Sequence, residues 1–380
     1  MSTAMREGLE DVVVTSSKIC AIDGQKGSIQ YRGIDIGELA RHSTYEETVY
    51  LLWFEELPTQ DQLDGFKARL AAEREIDEGI WNTLTSLPGI PRPMEALRTV
   101  VSALSCCDPD IDDHTREGNV NKAIRLTAKI PTIAAYYHRY LEGMERVHPD
   151  PNLSRAANFL FMWRGEPPSA LEERALDTAM ILMADHELNA STFAARVTAS
   201  TLSDMYSAIT SAIGTLKGPL HGAANRKAME MLLEIGAVEN VEPYITAALA
   251  AKRRIMGFGH RVYKSTMDPR STLLREMLGE LCTQSGDGHL YRLAMAVAET
   301  VEEKKGLYPN VDFFAAPLLY TLGIPVDLFT PMFAASRIAG WTAHVMEQYE
   351  NNRLLRPLSQ YVGALEKPYV PIERRNGHFG

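Results

Sequence analysis

Apolar residues recur every three to five positions along most of the chain, the spacing that gives a helix one dry face. From Met94 to Tyr140 the recurring set includes Val100, Leu104, Ile124, Ala128, Ile133 and Tyr137, interrupted by an acidic, turn-rich stretch at 108–118. Leu171 to Leu188 repeats with Leu176, Met180 and Met183 on one face. Ala223–Ile235 reads as a helix closed by Gly236, and Leu290–Lys304 and Met332–Glu350 read the same way. Pro58, Pro88, Pro91 and Pro93 divide the earlier chain into shorter helices, and Pro clusters mark turns between His148 and Pro168. Thr44, with Glu47 three residues on, has the spacing of a capping box.

Strand-like alternation is confined to the start. Ser17–Ile22 and Ser28–Tyr31 flank Asp23-Gly24-Gln25-Lys26-Gly27, which predicts a hairpin with the glycines its turn needs. The expectation is an all-α protein with a small N-terminal β-hairpin. No repeat of 20–50 residues is found, so a solenoid is not supported. Gly, Pro and basic residues cluster at 213–222 and 256–259. They suggest a small helical domain, residues 216–321, set into a larger one made of 1–215 and 322–380.

Composition narrows the class. The 380 residues are 45% hydrophobic and 23% charged, ordinary for a globular chain and long enough to bury a core without disulfides or a structural metal. The net charge of −10 argues against nucleic acid as a partner. Any anionic substrate would need a local positive field. The four cysteines, Cys20, Cys106, Cys107 and Cys282, form no Cys-x-x-Cys and no zinc spacing, so a reducing compartment is expected. The first residues show no apolar core of a signal peptide, and no apolar stretch reaches a membrane span. A cytoplasmic protein is expected, with no membrane and no metal.

The chemistry concentrates in a few places. No P-loop, Gly-x-Ser-x-Gly elbow or His-Glu-x-x-His is present, and Gly257-Phe258-Gly259 lacks the third glycine of a dinucleotide loop. His186 follows an apolar helix. His221 stands between glycines before another, where a helix end would keep the imidazole neutral, and His260 follows two glycines. From 251 to 270 six basic residues stand against one acid, Asp268. Lys252, Arg253 and Arg254 read as a solvated face, whereas Arg261, Lys264 and Arg270 lie in a Gly- and Pro-bounded stretch suited to anions. Asp312, between apolar residues after Pro309, is either a helix N-cap or a desolvated base.

Together these segments resemble citrate synthase. The matching runs are Ile-Asp-Gly-Gln-Lys-Gly-Ser-Ile-Gln-Tyr-Arg-Gly at 22–33, Gly-Pro-Leu-His-Gly-Ala-Ala-Asn at 218–225, Met-Gly-Phe-Gly-His-Arg-Val-Tyr-Lys at 256–264 and Asp-Pro-Arg at 268–270. Asn-Val-Asp-Phe at 310–313, Phe-Thr-Pro-Met-Phe-Ala-Ala-Ser-Arg at 329–337 and Asn-Asn-Arg-Leu-Leu-Arg-Pro at 351–357 continue them in the family's order. The resemblance implies an acyltransferase of the tricarboxylic acid cycle, with two domains closing over oxaloacetate and acetyl-CoA. It implies Asp312 as the base, His221 as the enol stabiliser and His260 as the carbonyl polariser and acid. His186, Arg270, Arg337 and Arg356 would hold oxaloacetate, with Arg356 reaching in from the partner of a homodimer. Arg261, Lys264 and Arg353 would meet CoA, acetyl-CoA being a co-substrate and no cofactor being permanently bound. The chain resembles the short, dimeric kind. The same pattern fits a 2-methylcitrate synthase acting on propionyl-CoA, since one methylene in an apolar pocket is worth only about 1–3 kcal/mol of discrimination. A citryl-CoA lyase would need a partner to make citryl-CoA, and a non-catalytic scaffold would be expected to lack one of the three central residues.

Overall fold

The structure is a computed structural model that describes residues 6–9, 12–88, 92–264 and 266–375. Two units divide the chain: residues 17–354, and the termini 1–16 with 355–380. The described part of the terminal unit carries two short 3-10 turns, Glu7–Leu9 and Ile372–Arg374, and most of its side chains are exposed.

In the larger unit the predicted hairpin is present. Cys20–Asp23 (β1) pairs antiparallel with Ser28–Tyr31 (β2), with Cys20 opposite Tyr31 and Asp23 opposite Ser28. Asp23 forms the turn: its Oδ1 accepts the N–H groups of Gln25 and Lys26, both at 3.0 Å. A third strand, Ile34–Asp35 (β3), pairs with β2. Two residues carry no period, so the sequence pattern could not announce it. Everything else of size is helical, with sixteen α-helices among the described residues.

The Phe329–Glu350 helix is the axis of the core. It is buried from Phe329 to Met346 and packs against Tyr45–Phe54, Arg116–Leu141, Ala170–Met183, Ala190–Ser200 and Met205–Leu216. A helix apolar on every side is one surrounded by protein. The polar residues it buries, Ser336, Arg337, Thr342, His344 and Gln348, therefore need partners inside. Arg116–Leu141 contains Pro131, which has no N–H for the carbonyl four residues back. That carbonyl, Thr127 O, instead accepts from Nη1 of the buried Arg155, while Arg155 Nη2 takes Ala335 O at 2.7 Å.

Sequence boundaries moved by a few residues for local reasons. The apolar run expected to reach Leu188 ends as a helix at Met183. The Thr44 hydroxyl caps Glu47 N as its spacing suggested, but the Glu47 carboxylate turns to Ser43 Oγ at 2.7 Å, so only half the capping box forms. The Ala224–Ile235 helix is closed by Gly236 at φ 71°, as expected. The helices between 216 and 321 pack on one another and onto Ala170–Met183 and Phe329–Glu350. No helix is long and apolar enough to cross a membrane among the described residues.

Candidate active site

Gly257 and Gly259 join the loop before His260 to the loop before Asp312. Both adopt positive φ, 81° and 75°, where a side chain is strained. A Cβ on Gly257 would also sit 2.8 Å from Phe313 Cβ. This permits a short bridge: Gly259 N donates to Tyr308 O at 3.0 Å and Asn310 N to Gly257 O at 2.9 Å. The glycine pair serves a backbone contact between two loops. Asn310 then caps the Val311–Thr321 helix, its Oδ1 accepting Asp312 N at 3.0 Å. Asp312 is thus in the first turn and is not the cap. Its Oδ1 is sealed from solvent and has no hydrogen-bond partner.

Asp268 joins the same region. It caps the Pro269–Ser285 helix and grips Arg270 with both oxygens, Oδ1 from Nε at 2.9 Å and Oδ2 from Nη2 at 2.7 Å. Oδ2 also accepts Val311 N at 3.2 Å. One edge of the guanidinium is fixed by Asp268, and the fork retains further donors.

The opposite wall is built where the Ala170–Met183 helix ends. Tyr31 Oη accepts Asp185 N at 3.1 Å and donates to Asp185 O at 2.8 Å. Ala184 O accepts Gly340 N at 3.0 Å, an approach only glycine permits, since a Cβ there would lie 2.2 Å from Asp185 Oδ1. Arg337, one turn earlier on that core helix, donates Nε to Met183 O at 2.7 Å and lies 4.9 Å above the Phe333 ring. His186 follows, buried, with Nε2 at 3.3 Å from Tyr263 Oη and its ring 5.1 Å from that of His260. Asn189 caps Ala190–Ser200, and Ser191 in its first turn meets His221 Nε2 at 2.8 Å. The Ser191 oxygen accepts Trp341 Nε1–H at 3.1 Å and stands 2.8 Å from Asn189 Oδ1. Its single proton goes to Asn189 or to His221, and that choice sets the His221 tautomer.

The charge states follow from burial and the two arginines. Burial first, then Arg270 and His260, pushes His186 well below its ordinary range. Burial and Arg337 lower His221 to about 4, and burial and Arg270 lower His260 to about 4. The neutral His221 expected from a helix end is neutral because it is buried beside a cation. Burial raises Asp312 to about 7, against the opposing pull of Arg270. A carboxylate poised near neutrality, neutral imidazole donors and two buried arginines can take a proton next to a carbonyl and hold a dicarboxylate.

The structure therefore brings together His186, His221, His260, Arg270, Arg337 and Asp312. Arg261, Lys264 and Arg353 are exposed, and Arg353 O accepts Gln348 Nε2 at 3.3 Å. Arg356 is exposed and belongs to the terminal unit. Lys252, Arg253 and Arg254 are exposed, as a solvated face should be. Asp185, Ser191, Tyr263 and the pairing of Asp268 also build the site. Asp268 was legible as a cap before a proline at the first helical position; the others carry no chain-local signal. No group of three His, Cys, Asp or Glu forms a metal site among the described residues.

Comparison with known proteins returns a consistent picture. Residues 8–358 match the family model described as citrate synthase, C-terminal domain. A citrate synthase of Haloferax volcanii is 48% identical over 99% of this chain and 100% of its own length. A citrate/2-methylcitrate synthase of Bacillus subtilis is 41% identical over 94% of this chain and 96% of its own. Among solved structures, the ternary complex of carboxymethyl coenzyme A and oxaloacetate with citrate synthase from Thermoplasma acidophilum superposes with a TM-score of 0.92. It is 34% identical and covers 98% of this chain and 100% of the other.

Proposed function

The chain belongs to the citrate synthase family, and from that premise we propose that it joins oxaloacetate to the methyl carbon of acetyl-CoA and hydrolyses the product, citryl-CoA. The observation that carries the chemistry is Asp312: a carboxylate with a sealed, unpartnered oxygen, held near neutrality by burial. It takes the methyl proton. His221 donates to the thioester oxygen where negative charge develops, a role that requires the Ser191 proton to point at Nε2 so that Nδ1 carries a hydrogen. His260 accepts Val262 N–H at Nδ1, 3.0 Å away, so its proton resides on Nε2. It donates this to the ketone oxygen and to the alkoxide that oxygen becomes. The enol carbon bonds to the ketone carbon, and water then cleaves the thioester, releasing citrate and CoA.

His186, Arg270 and Arg337 hold the oxaloacetate carboxylates. The fixed guanidinium planes orient the dianion before the bond forms. Residues 216–321 act as the small domain that closes over the larger one, excluding water until condensation is complete. Arg261, Lys264 and Arg353 meet CoA, and no group is permanently bound. The four cysteines are all free, which suits a reducing cytoplasm.

The enzyme works as a homodimer, with Arg356 completing the partner's site. Leu358, Val362 and Leu365, in the same stretch, are 87%, 89% and 77% exposed, apolar surface of the kind a partner would cover. In mixed dimers, one subunit with Arg356→Ala and the other with His260→Ala, one intact site should form and activity should return. Absence of complementation would remove the cross-subunit role.

The direct test is CoA thiol release with oxaloacetate, comparing acetyl-CoA and propionyl-CoA by kcat/KM. Preference for acetyl-CoA is expected. Preference for propionyl-CoA would make the chain a 2-methylcitrate synthase with the same residue roles, and release with neither would overturn the proposed activity.

A further inference from the structure

The strands of the N-terminal hairpin reach the site through Tyr31, and its turn touches the loop that carries His260. Gly24 packs against Val262: a Cβ there would lie 2.4 Å from Val262 O and 2.8 Å from its Cγ1. Gly24 O accepts the Thr266 hydroxyl at 2.8 Å. On the far side of the turn, a Cβ on Gly27 would meet Met267 O at 3.3 Å. Two glycines thus bring the turn against both ends of the 262–267 stretch. Gly24 does not need glycine for its own backbone, because its φ lies outside the left-handed region. Only the closeness of Val262 forbids a side chain.

Val262 matters because of its other face. Its N–H donates to His260 Nδ1 at 3.0 Å. The residue whose carbonyl and side chain lie against the hairpin holds the imidazole through its N–H. With Nδ1 occupied as an acceptor, the neutral ring must carry its hydrogen on Nε2. We propose that the turn Asp23–Gly27 is a positioning element for His260: side-chain-free Gly24, with Thr266 bonded to its carbonyl, seats Val262 so that the Val262 N–H fixes the tautomer and aim of the imidazole. Gly24, Val262 and Thr266 act through His260 and touch no substrate. The proposal rests on His260 being the donor to the ketone oxygen. It also supplies a reason for Gly24, in a hairpin that lies more than two hundred residues away in sequence.

Gly24→Ala adds one methyl group that its own φ allows, so the strain falls on Val262. It should lower kcat/KM for oxaloacetate about ten- to a hundredfold, the scale that a misplacement of about 1 Å carries. Most of the loss should fall in kcat, since Arg270 and Arg337 still hold the carboxylates. Thr266→Val should act in the same direction, and Thr266→Ser, which keeps the hydroxyl, should restore the wild-type rate. Gln25→Ala, on the exposed side of the turn, should change nothing.

Amide hydrogen exchange at Val262 in the substrate-free protein reads the seat independently of turnover. Faster exchange in Gly24→Ala, with thermal stability retained, is the expected result. Unchanged exchange and unchanged kcat/KM in both Gly24→Ala and Thr266→Val would overturn the proposal. Faster exchange with full activity would overturn it too, and would locate the failure in the role given to His260. A wild-type protein without synthase activity would leave the exchange result standing as the measure of the seat.

Discussion

Asp312→Asn should abolish most turnover, a loss of about 10²–10⁴-fold in kcat, the range a positioned general base supplies. The amide has nearly the shape of the acid and cannot take the methyl proton. Oxaloacetate should still bind, because its contacts come from His186, Arg270 and Arg337. Wild-type kcat/KM should fall as pH drops through about 7, where Asp312 gains a proton, and the residual rate of the variant should lack that limb.

The same residue makes a stability prediction of definite sign. Its folded pKa is raised from 3.8 to about 7, so between those values the folded state holds a proton that the unfolded state has lost. Stability from this group is therefore full below about 4 and falls as pH rises through about 7. Asp312→Asn removes that loss, and its Tm at pH 8 should equal or exceed that of the wild type. Turnover preserved in the variant, or oxaloacetate binding lost with Tm intact, would sink the base assignment.

His221→Ala should reduce kcat by about 10²–10³-fold, the effect of deleting one donor to a developing oxyanion. The imidazole is neutral at pH 7, because burial and Arg337 lower it to about 4, so the loss is that of a hydrogen-bond donor and not of a charge. The pH limb from Asp312 should survive in this variant. Oxaloacetate affinity should change little, which a direct titration would show. A rise in oxaloacetate KM with kcat intact would place His221 among the binding groups instead.

Much of the site was legible as residue types in telling company. His221 and His260 stood beside glycines, Arg270 followed a proline, and Asp312 stood alone among apolar residues. Each reading left an alternative that only neighbours could remove. Asp312 as a helix cap was as good a local account until Asn310 was seen to hold that position. Gly257 and Gly259 were set aside as a dinucleotide loop for want of a third glycine, and only their bridge to Tyr308 and Asn310 gives them a role.

The residues that position the catalytic ones were the least legible. His344 lies on a helix whose apolar residues run all the way round, and nothing near it in sequence marks its place 3.4 Å from Asp185. Tyr31, which fixes the backbone before His186, reads as an ordinary inward strand residue.

By itself, the sequence determined the helical class, the hairpin with its turn, most helix cores and the identities of the groups able to do chemistry. These depend on periodicity, capping and side-chain type, which are local properties of the chain. Only the tertiary structure decided which groups lie together and what charge each holds there. Burial and the nearness of Arg270 and Arg337 set the protonation of three histidines and an aspartate, and those distances arise from segments up to about 150 residues apart. The contact of Gly24 with Val262 has the same origin: a glycine that its own backbone does not require is explained only by what folds against it.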